Sequence, residues 1–151
     1  MLENKKIVIT GIANKFSIAN GIAKAMSKNG AELAFLYQNE RLLKRIKPIA
    51  EELGVETFVE CDVSSDDSID RAFSEIKTKW GKVDGLVHSI GFAPTDQLEG
   101  DFTEVTTREG FKIAHDISSY SFTALAKAAL PILSENAALL TLTYLGSIQS
   151  L

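Results

Sequence analysis

The sequence predicts an α/β fold, a doubly wound parallel sheet with helices on both faces. Three observations predict it. Apolar runs of strand length alternate with helix-period segments along all 151 residues. No linker, low-complexity stretch or internal repeat interrupts that alternation. The first strand also turns through a glycine into a helix, as strands do where a phosphate is held. The length suits one domain, residues 1–151, with a substantial core.

Strands are expected at 6–10, 31–37, 55–61, 84–88 and 137–143, and helices at 18–29, 40–53, 66–80 and 106–130. Lys6-Ile7-Val8-Ile9-Thr10 is a short apolar strand, and Gly11 ends it. Gly30 follows the first helix and Gly54 the second, each where a left-handed residue closes a helix. Ser64 or Ser65, with acidic residues just after, caps the third helix, and Gly81 ends it. Residues 92–101 form a long loop beyond the carboxyl end of a strand, where open α/β sheets bind ligands. Right-handed crossovers in a doubly wound sheet give the spatial order 3-2-1-4-5.

Composition narrows the function. The chain is 45% hydrophobic and 24% charged, as soluble globular domains are. Sixteen basic against twenty acidic residues give a net charge of −4 with no run of five like charges, so nothing recruits nucleic acid or an anionic membrane. Behind Met1-Leu2-Glu3-Asn4-Lys5-Lys6 there is no apolar signal region, and no apolar stretch reaches the roughly 18 residues that span a bilayer. The single Cys61 has no internal disulfide partner. A cytoplasmic protein is expected. No grouping of His, Cys or carboxylates has metal-ligand spacing.

The loop Gly11-Ile12-Ala13-Asn14-Lys15-Phe16-Ser17-Ile18-Ala19 is longer than the plain G-x-G-x-x-G turn and lacks its middle glycine. Amides at the helix start, near Ser17 to Ala19, would face an anion with the helix dipole behind them. By itself the segment also reads as an ordinary turn with a serine N-cap. Strand two ends at Gln38, where such folds read the adenosine ribose. Gln38 can hydrogen-bond there without supplying charge, and Arg41 and Lys44 either hold a 2′-phosphate or are simply solvated. NADH is favoured over NADPH. Strand three ends at Cys61-Asp62-Val63, and Asp62 either accepts from an adenine amino group or steadies the next helix.

Strand four ends at His88-Ser89-Ile90-Gly91, small enough for a cofactor to lie against the backbone or for a tight turn. Cys61, His88 and His115 are expected to be structural. Phe111, Ile113, Ala114, Ile117, Phe122, Leu125, Ala126 and Ala129 make an apolar helix face for core or subunit contact. Tyr144 follows the last strand, as a hydrogen-bond donor to a developing enolate oxygen or as an aromatic plug.

Together, Thr10-Gly11 with Ser17-Ile18-Ala19, Tyr37-Gln38-Asn39, Cys61-Asp62-Val63, the run Asp84 to Pro94, the run Thr107 to Ser121 and the run Leu139 to Gly146 resemble bacterial enoyl-acyl carrier protein reductase. That family is a divergent branch of the short-chain dehydrogenase/reductases, with a Rossmann fold, and the likeness covers essentially the whole chain. The resemblance implies reduction, by NADH, of the trans-2,3 double bond of an enoyl thioester on acyl carrier protein, in fatty-acid biosynthesis. It implies that Gly11, Ser17 and Ile18 hold the pyrophosphate and ribose, that Gln38 lies beside the adenosine, and that Asp62 with Val63 reads the adenine. Ser89, Ile90 and Gly91 would flank the nicotinamide ribose, Ala93 would touch substrate, and Tyr144 matches one of two active-site tyrosines. Tyr144 also disfavours the ordinary ketoreductases, which place serine there, and Ser89-Ile90-Gly91 replaces their Asn-Ala-Gly.

The family's second tyrosine and the lysine of its Tyr-x6-Lys motif have no counterpart here, and no lysine follows Lys127. The expectation is a chain that lacks the C-terminal part of the fold, truncated after the fifth strand. The complete family member is expected to be a homotetramer. The alternative is a catalytically inactive NAD-binding module.

Overall fold

The computed structural model describes residues 1–149; Ser150 and Leu151, the last two residues of the expected domain, lie outside the described residues. Five strands form one sheet: β1 (Lys6–Ile9), β2 (Glu32–Tyr37), β3 (Thr57–Glu60), β4 (Val83–His88) and β5 (Leu133–Thr141). Their order is β3-β2-β1-β4-β5, every neighbouring pair is parallel, and the 3-2-1-4-5 arrangement expected from the sequence is the one observed. Val8 of β1 lies between Ala34 of β2 and Leu86 of β4, so the first strand is central. Continuous apolar runs are what such a position demands, because both faces of a central parallel strand are covered.

Helices α1 (Ile18–Lys28) and α2 (Glu40–Leu53) serve one face, and α3 (Asp66–Trp80) serves the other. The core divides accordingly. Ile7, Ile9, Phe35, Ile46 and Val87 pack together in one cluster, while Val8, Leu36, Phe73, Leu86 and Leu125 pack in the other. Alternation along β1 thus sends Val8 to one layer and its neighbours to the opposite one. Asn39 caps α2 by accepting from the Leu42 N–H at 3.1 Å, and Ser65 caps α3 by accepting from the Ser68 N–H at 3.3 Å. Gly54 after α2 and Gly30 after α1 both take up the expected positive φ, Gly54 at the cap itself and Gly30 one residue beyond the cap Asn29.

Two elements differ from the sequence expectation. A short unexpected helix α4 (Phe102–Val105) precedes the helix expected at 106–130, which runs without a gap from Arg108 to Ala129 but as three pieces, α5 (Arg108–His115), a π-helical turn (Asp116–Tyr120) and α6 (Ser121–Ala129), with a 3₁₀ turn (Leu130–Ile132) after it. Thr107 starts α5 by accepting from the Gly110 N–H, so α4 and α5 are separate helices. A 3₁₀ turn at Thr95–Gln97 lies within the long loop after β4, and the short helix α4 follows that loop directly. The fifth strand begins at Leu133, four residues before its expected start, although Ser134-Glu135-Asn136 is polar. Ser134 donates to Asp84 at 2.9 Å across a register irregularity between Val83 and Gly85. The same carboxylate accepts from the Lys6 N–H at 3.0 Å and the Lys5 ammonium at 3.1 Å, joining the amino ends of β1, β4 and β5.

Candidate functional site

The carboxyl ends of β1, β2, β3 and β4 open onto one cleft of about 560 Å³, within the range of small-molecule sites. Six residues expected at a cofactor site line it: Gly11, Gln38, Val63, Ser89, Ile90 and Gly91. The loop after β1 forms one wall because its backbone is pressed against the turn after β4. Thr10 donates from its N–H to the Val87 carbonyl at 2.9 Å and from its hydroxyl to the same oxygen at 3.2 Å. Gly11 then adopts φ +85°, and a Cβ there would stand 1.9 Å from the Ser89 carbonyl oxygen. Glycine is required at this point by the neighbouring strand end as well as by the turn. Gly91, in contrast, faces open space, with nothing within 4 Å of an added Cβ.

Ser17 stands at the N-cap of α1, but its hydroxyl is used differently from an ordinary cap. It accepts from the Ala13 N–H at 3.0 Å and the Asn14 N–H at 3.1 Å, folding the loop back on itself. Ile18 is 68% exposed beside it, and neither Ser17 nor Ile18 lines the cleft. No lysine or arginine lines the cleft among the described residues, so an anion there would rely on backbone N–H groups and the start of α1.

Asp62 sits behind the lining and is joined to Gln38, whose amide donates to it at 3.4 Å. Its other oxygen accepts from the Ser64 N–H at 3.0 Å and the Ser64 hydroxyl at 2.7 Å. Burial pushes this carboxyl up, but the Ser64 and Gln38 donors together hold it below its ordinary value. Asp62 is therefore a charged acceptor at the cleft's edge, and the helix cap is Ser65. Cys61 lines the cleft as a buried thiol, raised to about 12 first by burial and then by Asp62, and is inert as a nucleophile.

Ala93 and Tyr144 are not brought into the cleft lining. Tyr144 is 70% exposed just beyond β5, and an added Cβ on Gly146 would meet its ring. The sequence reading missed the far wall, where Ile113 and Ile117 reach the cleft from α5 and the π turn. It also missed Ser118, whose hydroxyl accepts from the Phe92 N–H at 2.9 Å and donates to the Phe92 carbonyl at 3.0 Å. That reciprocal pair fixes the backbone between Gly91 and Ala93. His88 is buried as expected, and exposed His115 stacks on Phe111 with ring centres 4.2 Å apart. No cluster of metal-binding side chains and no helix long and apolar enough to cross a membrane occurs among the described residues.

A family profile described as enoyl-(acyl carrier protein) reductase matches residues 11–151. The chain belongs to that family. Among curated relatives of this reductase-family chain, the NADH-dependent enoyl-acyl-carrier-protein reductase of Escherichia coli is 58% identical over 146 residues, which are 97% of this chain and 56% of the relative. The corresponding protein of Neisseria meningitidis is 49% identical over 151 residues, 99% of this chain and 58% of the relative. The chain thus spans somewhat more than half the length of these relatives. Among solved structures, the reductase of Anaplasma phagocytophilum in complex with NAD superposes with a TM-score of 0.94 at 41% identity, over 99% of this chain and 57% of that one. The reductase of Aquifex aeolicus also gives 0.94, at 44% identity, over 99% of this chain and 60% of that one.

Proposed function

We propose that this chain is the cofactor-binding portion of an NADH-dependent enoyl-acyl carrier protein reductase. The observation that carries the reading is the convergence of Gly11, Gln38, Val63, Ser89, Ile90 and Gly91 on one cleft at the carboxyl ends of the strands. The cleft suits an extended dinucleotide. Gly91 offers bare backbone, Gln38 and Asp62 supply a paired donor and acceptor at one end, and the loop after β1 borders the side where the α1 dipole lies.

Gly11, Ser17 and Ile18 would hold the pyrophosphate and its adjoining ribose. Gln38 would take the adenosine ribose hydroxyls, and its neutral amide neither repels nor strongly attracts a 2′-phosphate. Asp62 and Val63 would read the adenine, and Ser89, Ile90 and Gly91 would border the nicotinamide ribose. When bound, NADH supplies a hydride for the β-carbon of an enoyl thioester. Ser118 keeps the Phe92 backbone in place so that Ala93 meets the acyl chain, and Ile113 and Ile117 keep water from the apolar wall. The Tyr144 hydroxyl would donate a hydrogen bond to the thioester oxygen as negative charge builds there. The substrate partner would be acyl carrier protein, the setting cytoplasmic fatty-acid synthesis, and the complete assembly a homotetramer.

A second reading, an NAD-binding module without turnover, is favoured by one observation. Tyr144, 70% exposed, stands outside the cleft in this chain. The two readings part in one experiment, loss of NADH absorbance on adding an enoyl thioester to the purified chain. Substrate-dependent oxidation supports the reductase, whereas saturable NADH binding without oxidation supports the module. Absence of both overturns the cofactor assignment.

A further inference from the structure

His88 is 1% exposed beneath the cleft and engaged at both ring nitrogens. Nδ1 lies 3.0 Å from the Thr141 hydroxyl on β5, and Nε2 lies 2.8 Å from the Ser121 hydroxyl at the start of α6. The direction of these bonds follows from a third distance. Ser121 Oγ is 2.6 Å from the Ile117 carbonyl oxygen, and Ser121 is the donor because a carbonyl only accepts. Were its one proton turned toward His88, two oxygens would face each other at 2.6 Å with nothing between them. The hydroxyl can therefore only accept from His88, which puts the imidazole proton on Nε2. Nδ1 is then bare and accepts from Thr141.

We infer that His88, as its Nε2–H tautomer, is a positioning residue that ties the end of β5 to β4 and to the π turn, and so fixes where the segment bearing Tyr144 leaves the sheet. The chain of donors runs from Thr141 through His88 and Ser121 to Ile117, in one direction across four elements, β5, β4, α6 and the π turn. Thr141 is the last residue of β5 and stands three positions before Tyr144. The π-helical turn contributes by delivering Ser118 to Phe92 and leading directly into Ser121 beneath His88. Burial holds the imidazole below its ordinary value, in keeping with a ring that must stay neutral to accept from Thr141. The importance of Tyr144 rests on the reading proposed above, whereas the tautomer and the tie do not.

The test is ¹⁵N NMR of the two imidazoles in the intact chain, which holds only two histidines, with His115→Gln to assign them. His88 should give a pyrrole-like Nε2 and a pyridine-like Nδ1 at neutral pH. A pyrrole-like Nδ1, or averaged signals of the exposed kind, overturns the inference. Thr141→Val keeps a strand-favouring shape and removes the donor. It should move the Nδ1 resonance and speed amide exchange at residues 142–144 about tenfold, with exchange in α2 unchanged and both effects reversed by Thr141→Ser. Unchanged exchange at 142–144 in the valine variant would show that His88 does not hold that segment. Neither measurement involves NADH or turnover, so the inference can fail while the proposed function stands.

Discussion

Replacing Gly11 by alanine tests whether the loop after β1 and the turn after β4 are built against each other. A Cβ at this position would lie 1.9 Å from the Ser89 carbonyl oxygen and 2.5 Å from its carbonyl carbon. Comfortable contact between such atoms needs about 3.5 Å, so the two backbones must part by roughly 1.5 Å. Neither has a flexible side chain that could give way. The φ of +85° adds a conformational cost for any L side chain of about 1–3 kcal/mol, and overpacking adds about 1–3 kcal/mol more. The expected loss is about 4 kcal/mol, a large part of the stability of an ordinary domain. Gly21 is the control. It lies within α1 with nothing within 4 Å of an added Cβ, so Gly21→Ala should stabilise the chain by about 0.5–1 kcal/mol. Urea unfolding followed by circular dichroism reads both. A Gly11→Ala variant within about 1 kcal/mol of the parent would refute the argument.

Other outcomes follow from the same geometry. Gly91→Val should change stability by less than about 0.5 kcal/mol, yet weaken NADH binding at least about tenfold in a fluorescence titration, because its space is open in the protein and needed by the cofactor. Gln38→Arg should shift the ratio of NADPH to NADH affinity upward by about tenfold, measured by parallel titrations. Asp84 is held below its ordinary value first by the Lys6 N–H, which with Ser134 and Lys5 outweighs burial. A depressed carboxylate lends stability that is present above its unfolded value of about 3.9 and lost as pH falls through the lower native one. Asp84→Asn should therefore cost about 1–2 kcal/mol at neutral pH, and less as the pH drops below about 3.9 in acid unfolding series.

The sheet order was legible because each of the first three crossovers carries its own punctuation: Gly11 and Gly30 around α1, Gly54 after α2, Ser65 and Gly81 around α3. These are local signals, and the structure uses them locally. What escaped the sequence depends on partners far along the chain. The early start of β5 rests on Ser134 reaching Asp84, fifty positions away, which a polar Ser-Glu-Asn stretch does not announce. The π turn shifts the helical phase by one residue within a mostly polar Asp-Ile-Ser-Ser-Tyr segment, and apolar periodicity does not register so small a slip. Ser118 and Ser121 carry no local signal of their own, because their partners Phe92 and His88 lie 26 and 33 positions earlier in the chain.

The candidate site divides along the same line. Residues that end strands, Gly11, Gln38, Val63 and Ser89 to Gly91, were found because the topology carries every strand end to one edge. Tyr144 follows a strand end too, yet it stands outside the cleft, at the edge strand where a single neighbour, β4, orders the backbone among the described residues. Leu139, Leu140 and Leu142 on and beside that strand are each more than a third exposed, so little packing constrains the segment on its outer side.

The most direct test of the central claim is amide NMR of the labelled chain during titration with NADH. Saturable shifts concentrated at Gly11, Gln38, Val63 and Ser89 to Gly91, with residues at the amino ends of the strands such as Lys6 and Asp84 unmoved, are the predicted result. Shifts that do not saturate, or that centre away from these strand ends, would contradict the assignment of this cleft to the dinucleotide.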